Sequence, residues 1–147
     1  MSENNKALVR RWFNEVWNQR QARSIDELLA ADGVIYGLIE NAPMKGAAEF
    51  KKFHEVYCGA FPDLQIVVDD MIAEGDRVAI RCTVKGQHLG DHLGLKATNA
   101  PVEFSGMAIV VIRDGRIVEG WNNFDFAQMN KQLGLNASSA AEAARQT

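Results

Sequence analysis

Hydrophobic positions in the first part of the chain recur at helical spacing. Leu8, Val9, Trp12, Phe13, Val16 and Trp17 fall on one face of a helix and give it three aromatic rings. A polar break at Asn18-Gln19-Arg20-Gln21 follows. Ser24-Ile25-Asp26-Glu27 has the capping-box pattern and predicts a second, short helix that stops near Asp32-Gly33. Val34 to Leu38 reads as a strand. From Ala47 to Ala60 the helical period returns, with Phe50, Phe53, Val56/Tyr57 and Ala60/Phe61 on one face, and Phe61-Pro62-Asp63 ends it.

Beyond Leu64 the period changes to two. Strands are predicted at Leu64–Ala73, Arg77–Gly86, Val102–Arg113 and Arg116–Asn122. Glu74-Gly75-Asp76 and Asp114-Gly115 are turns of the kind that join antiparallel neighbours. Asp125-Phe126-Ala127-Gln128 again suggests a capped helix, carrying Met129, Leu133 and Leu135. Helices first and strands after predict an α+β domain over residues 1–135. Its expected form is a cone-shaped, curved antiparallel sheet wrapped on the N-terminal helices, whose wide end makes a small-molecule pocket. Residues 136–147, rich in Ala and Ser, are expected to be a flexible tail.

Composition narrows the class. The chain has 147 residues, 47% of them hydrophobic, enough for one sizeable core. Sixteen Lys and Arg against nineteen Asp and Glu leave a formal charge of −3, and no basic block stands out, so neither nucleic acid nor an anionic membrane is an expected partner. The longest apolar run, Ala108 to Ile112, is far short of the roughly 20 residues of a membrane helix, and the polar opening has no signal-peptide core. A cytoplasmic location is the resulting expectation. Cys58 and Cys82 lie in apolar segments without a CxxC spacing, which predicts buried reduced thiols.

These elements, in this order, resemble the SnoaL-like polyketide cyclases of the nuclear-transport-factor-2-like superfamily from Lys6 to Leu135. The resemblance is carried by Lys6-Ala7-Leu8-Val9-Arg10-Arg11 with Val16-Trp17-Asn18, by Phe61-Pro62-Asp63-Leu64 and by Ile72-Ala73-Glu74-Gly75-Asp76-Arg77-Val78. Further blocks are Gly86-Gln87-His88-Leu89-Gly90, Val102-Glu103-Phe104-Ser105-Gly106, and Asp114-Gly115-Arg116-Ile117-Val118-Glu119 with Trp121 and Gln132-Leu133-Gly134. It implies a cofactor-free enzyme that closes a ring by intramolecular aldol condensation in an apolar pocket, with an aspartate as general acid/base. That aspartate's position falls on Asn122, and a histidine near the site in cyclases aligns with Ala108. An amide cannot exchange a proton near neutral pH, but it can donate a hydrogen bond to a developing enolate oxygen. Trp17 and Phe53 align with positions lining the substrate pocket, which is compatible with plain core packing.

His88 is then the candidate proton carrier, because its ordinary pKa lies near neutrality; the alternative is a structural histidine hydrogen-bonded at the rim. His88-Leu89-Gly90-Asp91-His92 lacks regular ligand geometry, so no metal is expected, nor a nicotinamide without a Rossmann-type glycine fingerprint. His54, one position off the apolar helix face, is expected to be solvated. Asp125 is the carboxylate nearest the end of the last strand and a candidate substrate contact, although helix capping accounts for it more simply. Tyr36 is a candidate to present its hydroxyl to the pocket, and Arg81 is expected on the outer sheet face, where two copies would pair. Three functions follow: a pocket enzyme of proton-transfer chemistry, a catalytically silent binding module, or a dimerising association domain. Convergent ionisable groups in the cavity, an open apolar cavity and a filled one would favour them respectively.

Overall fold

The sequence condenses into four helices and one six-stranded sheet. A computed structural model describes residues 2–135; the expected C-terminal tail lies outside the described residues. Helix α1 (Ser2–Arg11) continues into a wider π-helical turn, Trp12–Asn18, where the Gln19 N–H reaches back five residues to the Asn14 carbonyl at 2.8 Å. Trp12, Phe13, Val16 and Trp17 are all buried by that turn. Helix α2 (Arg23–Leu28) leads into β1 (Leu29–Tyr36), β2 (Met44–Lys45) and α3 (Gly46–Ala60). Strands β3 (Gln65–Glu74), β4 (Arg77–Gln87), β5 (Pro101–Arg113) and β6 (Arg116–Phe124) follow, then α4 (Phe126–Gln132).

Strand order is β2-β1-β6-β5-β4-β3. The β3-β4-β5-β6 meander is antiparallel, but β1 runs parallel to β6, so the sheet is mixed and not wholly antiparallel. Those two strands are far apart in the chain, and no turn between them could have announced their direction. Register shifts between Val68 and Asp70 and between Val111 and Ile112 mark irregularities of the kind that bend strands and curve a sheet. At the second, Val110, Val111 and Ile112 are buried consecutively, which the alternating pattern alone would forbid.

Three local expectations need correction. The second helix ends at Leu28, and Leu29, with an extended backbone, begins β1 five residues before the expected strand. The Ser24/Glu27 capping box does not form: Ser24 Oγ donates to Glu15 Oε1 at 2.8 Å, and Glu27 accepts from Arg11 at 3.1 Å. The pair instead ties α2 to the end of α1, where two carboxylates meet one guanidinium. The short β2 and the long connection between β4 and β5 carry no periodic signal.

The helical layer is fastened to the exposed edge of β3 by side chains acting as strand mimics. Asn18 donates to the Ile66 carbonyl at 3.0 Å and accepts from the Ile66 N–H at 2.6 Å, while Arg20 donates to the Leu64 carbonyl at 2.9 Å. Replacing Asn18 by Ala removes both bonds to one residue and leaves its backbone groups without that partner. The expected cost is about 1–3 kcal/mol, read as a lower urea midpoint at unchanged denaturant slope.

Candidate functional site

The inward faces of the sheet and helices do not meet everywhere. Between them lies a cavity of about 70 Å³. Its helical wall is an aromatic series: Trp17 stands edge-on to Phe53 at 6.1 Å, Phe53 packs on Tyr57 at 4.6 Å, and Tyr57 lies 6.2 Å from Phe126 of α4. Its sheet wall comes from alternate residues, Phe104, Ala108 and Val110 on β5 and Gly120, Asn122 and Phe124 on β6. Gly106, opposite Phe124 in the ladder, leaves the room that the Phe124 ring occupies.

Asn122 sits opposite Ala108 and faces the cavity, half-buried. Its Nδ2 donates to the Tyr36 carbonyl at 3.0 Å, which fixes the amide against the end of β1. The next residue there is Gly37, with φ of +88°, where a side chain would meet the Asn122 backbone carbonyl. Only glycine combines that left-handed conformation with so close an approach. One amide hydrogen is used in this contact; the rest of the amide's hydrogen-bonding capacity has no partner among the described residues.

The cavity lining contains no carboxylate, imidazole, ammonium or guanidinium. Trp17, Phe53, Ala108 and Asn122 are among its residues, and Tyr36, His88 and Asp125 are not. Tyr36 alternates with buried Ile35 and so points outward, 38% exposed and stacked on Trp121 at 5.9 Å. Its hydroxyl is on the wrong side of the sheet. Asp125 is exposed and accepts from the Gln128 N–H at 3.0 Å, so it caps α4 and does not contact the cavity.

His88 is fully buried, but in a separate place, 5.6 Å from the Phe61 ring and beneath the connection between β4 and β5. Its Nδ1 accepts from the Thr98 N–H at 3.2 Å, its Nε2 has no partner among the described residues, and desolvation lowers its pKa. This placement gives it a structural setting, away from the cavity in which a proton would have to move. His54, expected to be solvated, is also buried; its Nε2 donates to the Val16 carbonyl at 2.6 Å and bridges α3 to the π-helical turn. Burial pushes the Cys58 thiol up to about 11 and the Cys82 thiol to about 12, so neither is a nucleophile near neutrality. Among the described residues no three His, Cys, Asp or Glu side chains converge to hold a metal ion, and no helix is long and apolar enough to cross a membrane.

Tyr57 is the cavity residue whose polar character the hydrophobic pattern hid. It was legible as part of an apolar helix face, and its hydroxyl gave no periodic signal. Burial raises its pKa to about 12, so it remains a neutral donor.

The fold, a helical layer over a curved sheet, agrees with the comparisons to known proteins. The family model of SnoaL-like polyketide cyclases matches residues 7–133. The chain belongs to that family. AclR from Streptomyces galilaeus, described as a hydroxylase, is 30% identical, with a TM-score of 0.80 over 91% of this chain and 98% of that one. IdmH from Streptomyces antibioticus, described as a polyketide cyclase, is 29% identical, with a TM-score of 0.76 over 89% and 99%. A SnoaL-like protein from Jannaschia sp. CCS1 shares the fold at 22% identity and a TM-score of 0.82, over 90% and 92%. No curated protein matches the chain.

The two buried imidazoles give this SnoaL-like domain a pH dependence with a definite sign. Desolvation lowers the pKa of both His54 and His88 below the ordinary 6.5. The unfolded chain therefore binds protons that the folded one excludes, and their contribution is complete above 6.5 and lost as pH falls through the lowered values. Thermal melting is expected to be flat above pH 7 and to drop below about 6.5. His54→Gln, which keeps a donor for Val16, should make that drop shallower. An identical acid slope in variant and wild type would contradict this account.

Proposed function

We propose that this chain is a pocket enzyme for a small, largely apolar, carbonyl-bearing molecule of polyketide-like character, which it cyclises or isomerises without a cofactor. The observation that carries this reading is the aromatic-lined cavity with Asn122 facing it; the family resemblance implies an acid/base aspartate at that position. An apolar lining excludes water and selects a carbon-rich substrate. Within it, a fixed amide supplies a hydrogen bond that strengthens as an enolate oxygen gathers charge. No side chain of the lining can exchange a proton near neutral pH, so the proton moves between the substrate's own groups or through water. Confinement in a folded conformation supplies the remaining acceleration. Two free thiols support a reducing, cytoplasmic setting.

The test is turnover of an open-chain aryl polyketone by wild type, Asn122→Ala and Asn122→Asp. Asn122→Ala is expected to lower kcat by about 10- to 1000-fold without adding or moving an ionisation, whereas Asn122→Asp should introduce one. A wild-type rate profile with a side-chain ionisation near neutrality, or a rate indifferent to Asn122→Ala, would refute this mechanism. Binding without turnover would favour the silent binding module, a reading that the absence of ionisable groups in the lining supports. A product gaining one oxygen atom would instead assign the hydroxylation named for the relative at 30% identity.

A homodimer through the outer sheet face is part of this proposal. Met107 and Ile109 on β5 are 59% and 44% exposed, and Ile72 on β3 is 67% exposed, beside the Tyr36–Trp121 stack. Such a patch on one face of the sheet suits isologous burial. Sedimentation should give a dimer at micromolar concentration and a monomer for Met107→Glu; a wild-type monomer would exclude the pairing.

A further inference from the structure

Along α3 and its C-cap residue the stripe Phe50, Phe53, Tyr57 and Phe61 repeats one side-chain shape, and a single position in it carries an oxygen. The Tyr57 ring packs 4.6 Å from Phe53 and lies 6.3 and 6.2 Å from Phe61 and Phe126, neighbours whose side chains offer no carbonyl or carboxylate acceptor. No hydrogen bond among the described side chains engages it. Among the described residues its oxygen is not one of the fully enclosed, unpartnered polar atoms, so it retains some open surface, and Tyr57 lines the cavity. A phenylalanine would fill the same volume without desolvating a hydroxyl. No described residue uses this oxygen, which leaves it available to a molecule that enters the cavity.

What enters must accept a hydrogen bond. The hydroxyl stays protonated across the neutral range because burial disfavours its phenolate. Asn122 reaches the cavity from β6 in the sheet, whereas Tyr57 reaches it from α3 in the helical layer, so a ligand between the layers is offered polar groups from two walls. We infer that the Tyr57 hydroxyl is a specificity-determining group of this pocket, donating to a carbonyl or enolate oxygen of the ligand and selecting oxygenated molecules over hydrocarbons of the same shape. The inference rests on the pocket reading above and adds a residue that the family alignment does not assign.

The experiment uses two matched probes, 1-indanone and indane, which differ by one carbonyl, with the full chain and its Tyr57→Phe variant. Tyr57→Phe should weaken 1-indanone about 5- to 10-fold, the worth of one neutral hydrogen bond, and leave indane within about twofold. The carbonyl carbon of bound ¹³C-labelled 1-indanone should move downfield in the wild type, and that displacement should shrink in the variant. Since the hydroxyl has no partner among the described residues, the variant should melt at the same temperature or higher. Equal weakening of both probes, an unchanged carbonyl shift, or a clear loss of thermal stability would show a packing role and overturn the inference. If both probes bind the wild type and Tyr57→Phe changes the affinity for neither, the pocket stands and the Tyr57 role falls. If neither probe binds the wild type, both fall.

Discussion

Trp12 and Trp17 packed on Phe50, with ring centroids 5.0 and 6.0 Å apart, hold the π-helical turn against α3. The His54 bond to the Val16 carbonyl closes the same junction at 2.6 Å. Everything on the inner side of the molecule depends on this joint. Aromatic rings are rigid and bulky, so two helices separated by them cannot settle down onto the sheet uniformly. The π-helical turn matters here because its wider winding brings residues five apart, Trp12 and Trp17, to the same side. With the layer propped from beneath and its edge bonded to β3 through Asn18 and Arg20, a curved sheet leaves a space that side chains do not fill.

That space has an unusual electrostatic character for a site with chemistry to perform. Its lining carries no formal charge, and its residues with polar groups are Tyr57, Asn122 and the two tryptophans Trp12 and Trp17, all neutral and each able to donate. Neutral donors held in an apolar cavity stabilise charge that develops on a ligand oxygen without first binding a counter-ion or titrating. They cannot by themselves relay protons. The polar group that the sheet presents to the cavity is an amide, one hydrogen of which is committed to the Tyr36 carbonyl. The cavity is about half the roughly 150 Å³ that admits benzene in an engineered protein, so a polyketide-sized ligand requires the half-buried Phe53, Tyr57, Phe124 and Phe126 to yield.

The histidines separate burial from function. His54 and His88 are both enclosed and both neutral, yet one joins two helices and the other anchors the connection between β4 and β5 through Thr98. The docking of that connection on α3 uses Leu89 and Gly90 N–H groups donating to the Ala60 carbonyl at 3.0 and 3.1 Å. A motif at a strand end therefore reported how a long connection is held down, and its apparent suitability for proton transfer came only from its side-chain type.

Local periodicity was sufficient for what depends on near neighbours. The aromatic face of Leu8 to Trp17, the helix ending before Phe61-Pro62-Asp63, the four long strands with their two tight turns, and the Asp125 cap were all legible, because each is written within one or two turns of chain. Strand alternation likewise placed Arg81 outside. The family motifs extended this to the fold and to Asn122. Other features were decided by residues distant in the chain. The parallel pairing of β1 with β6 turned Leu29 from helix end to strand start and sent the Tyr36 side chain outward. Ser24 found Glu15 and gave up its cap, the Val16 carbonyl drew His54 inward, and the β4–β5 connection carried His88 away from the cavity. Tyr57 shows the same division most sharply: its spacing determines that it faces inward, but whether its hydroxyl is bonded or free is settled by the partners that three-dimensional packing does or does not bring to it.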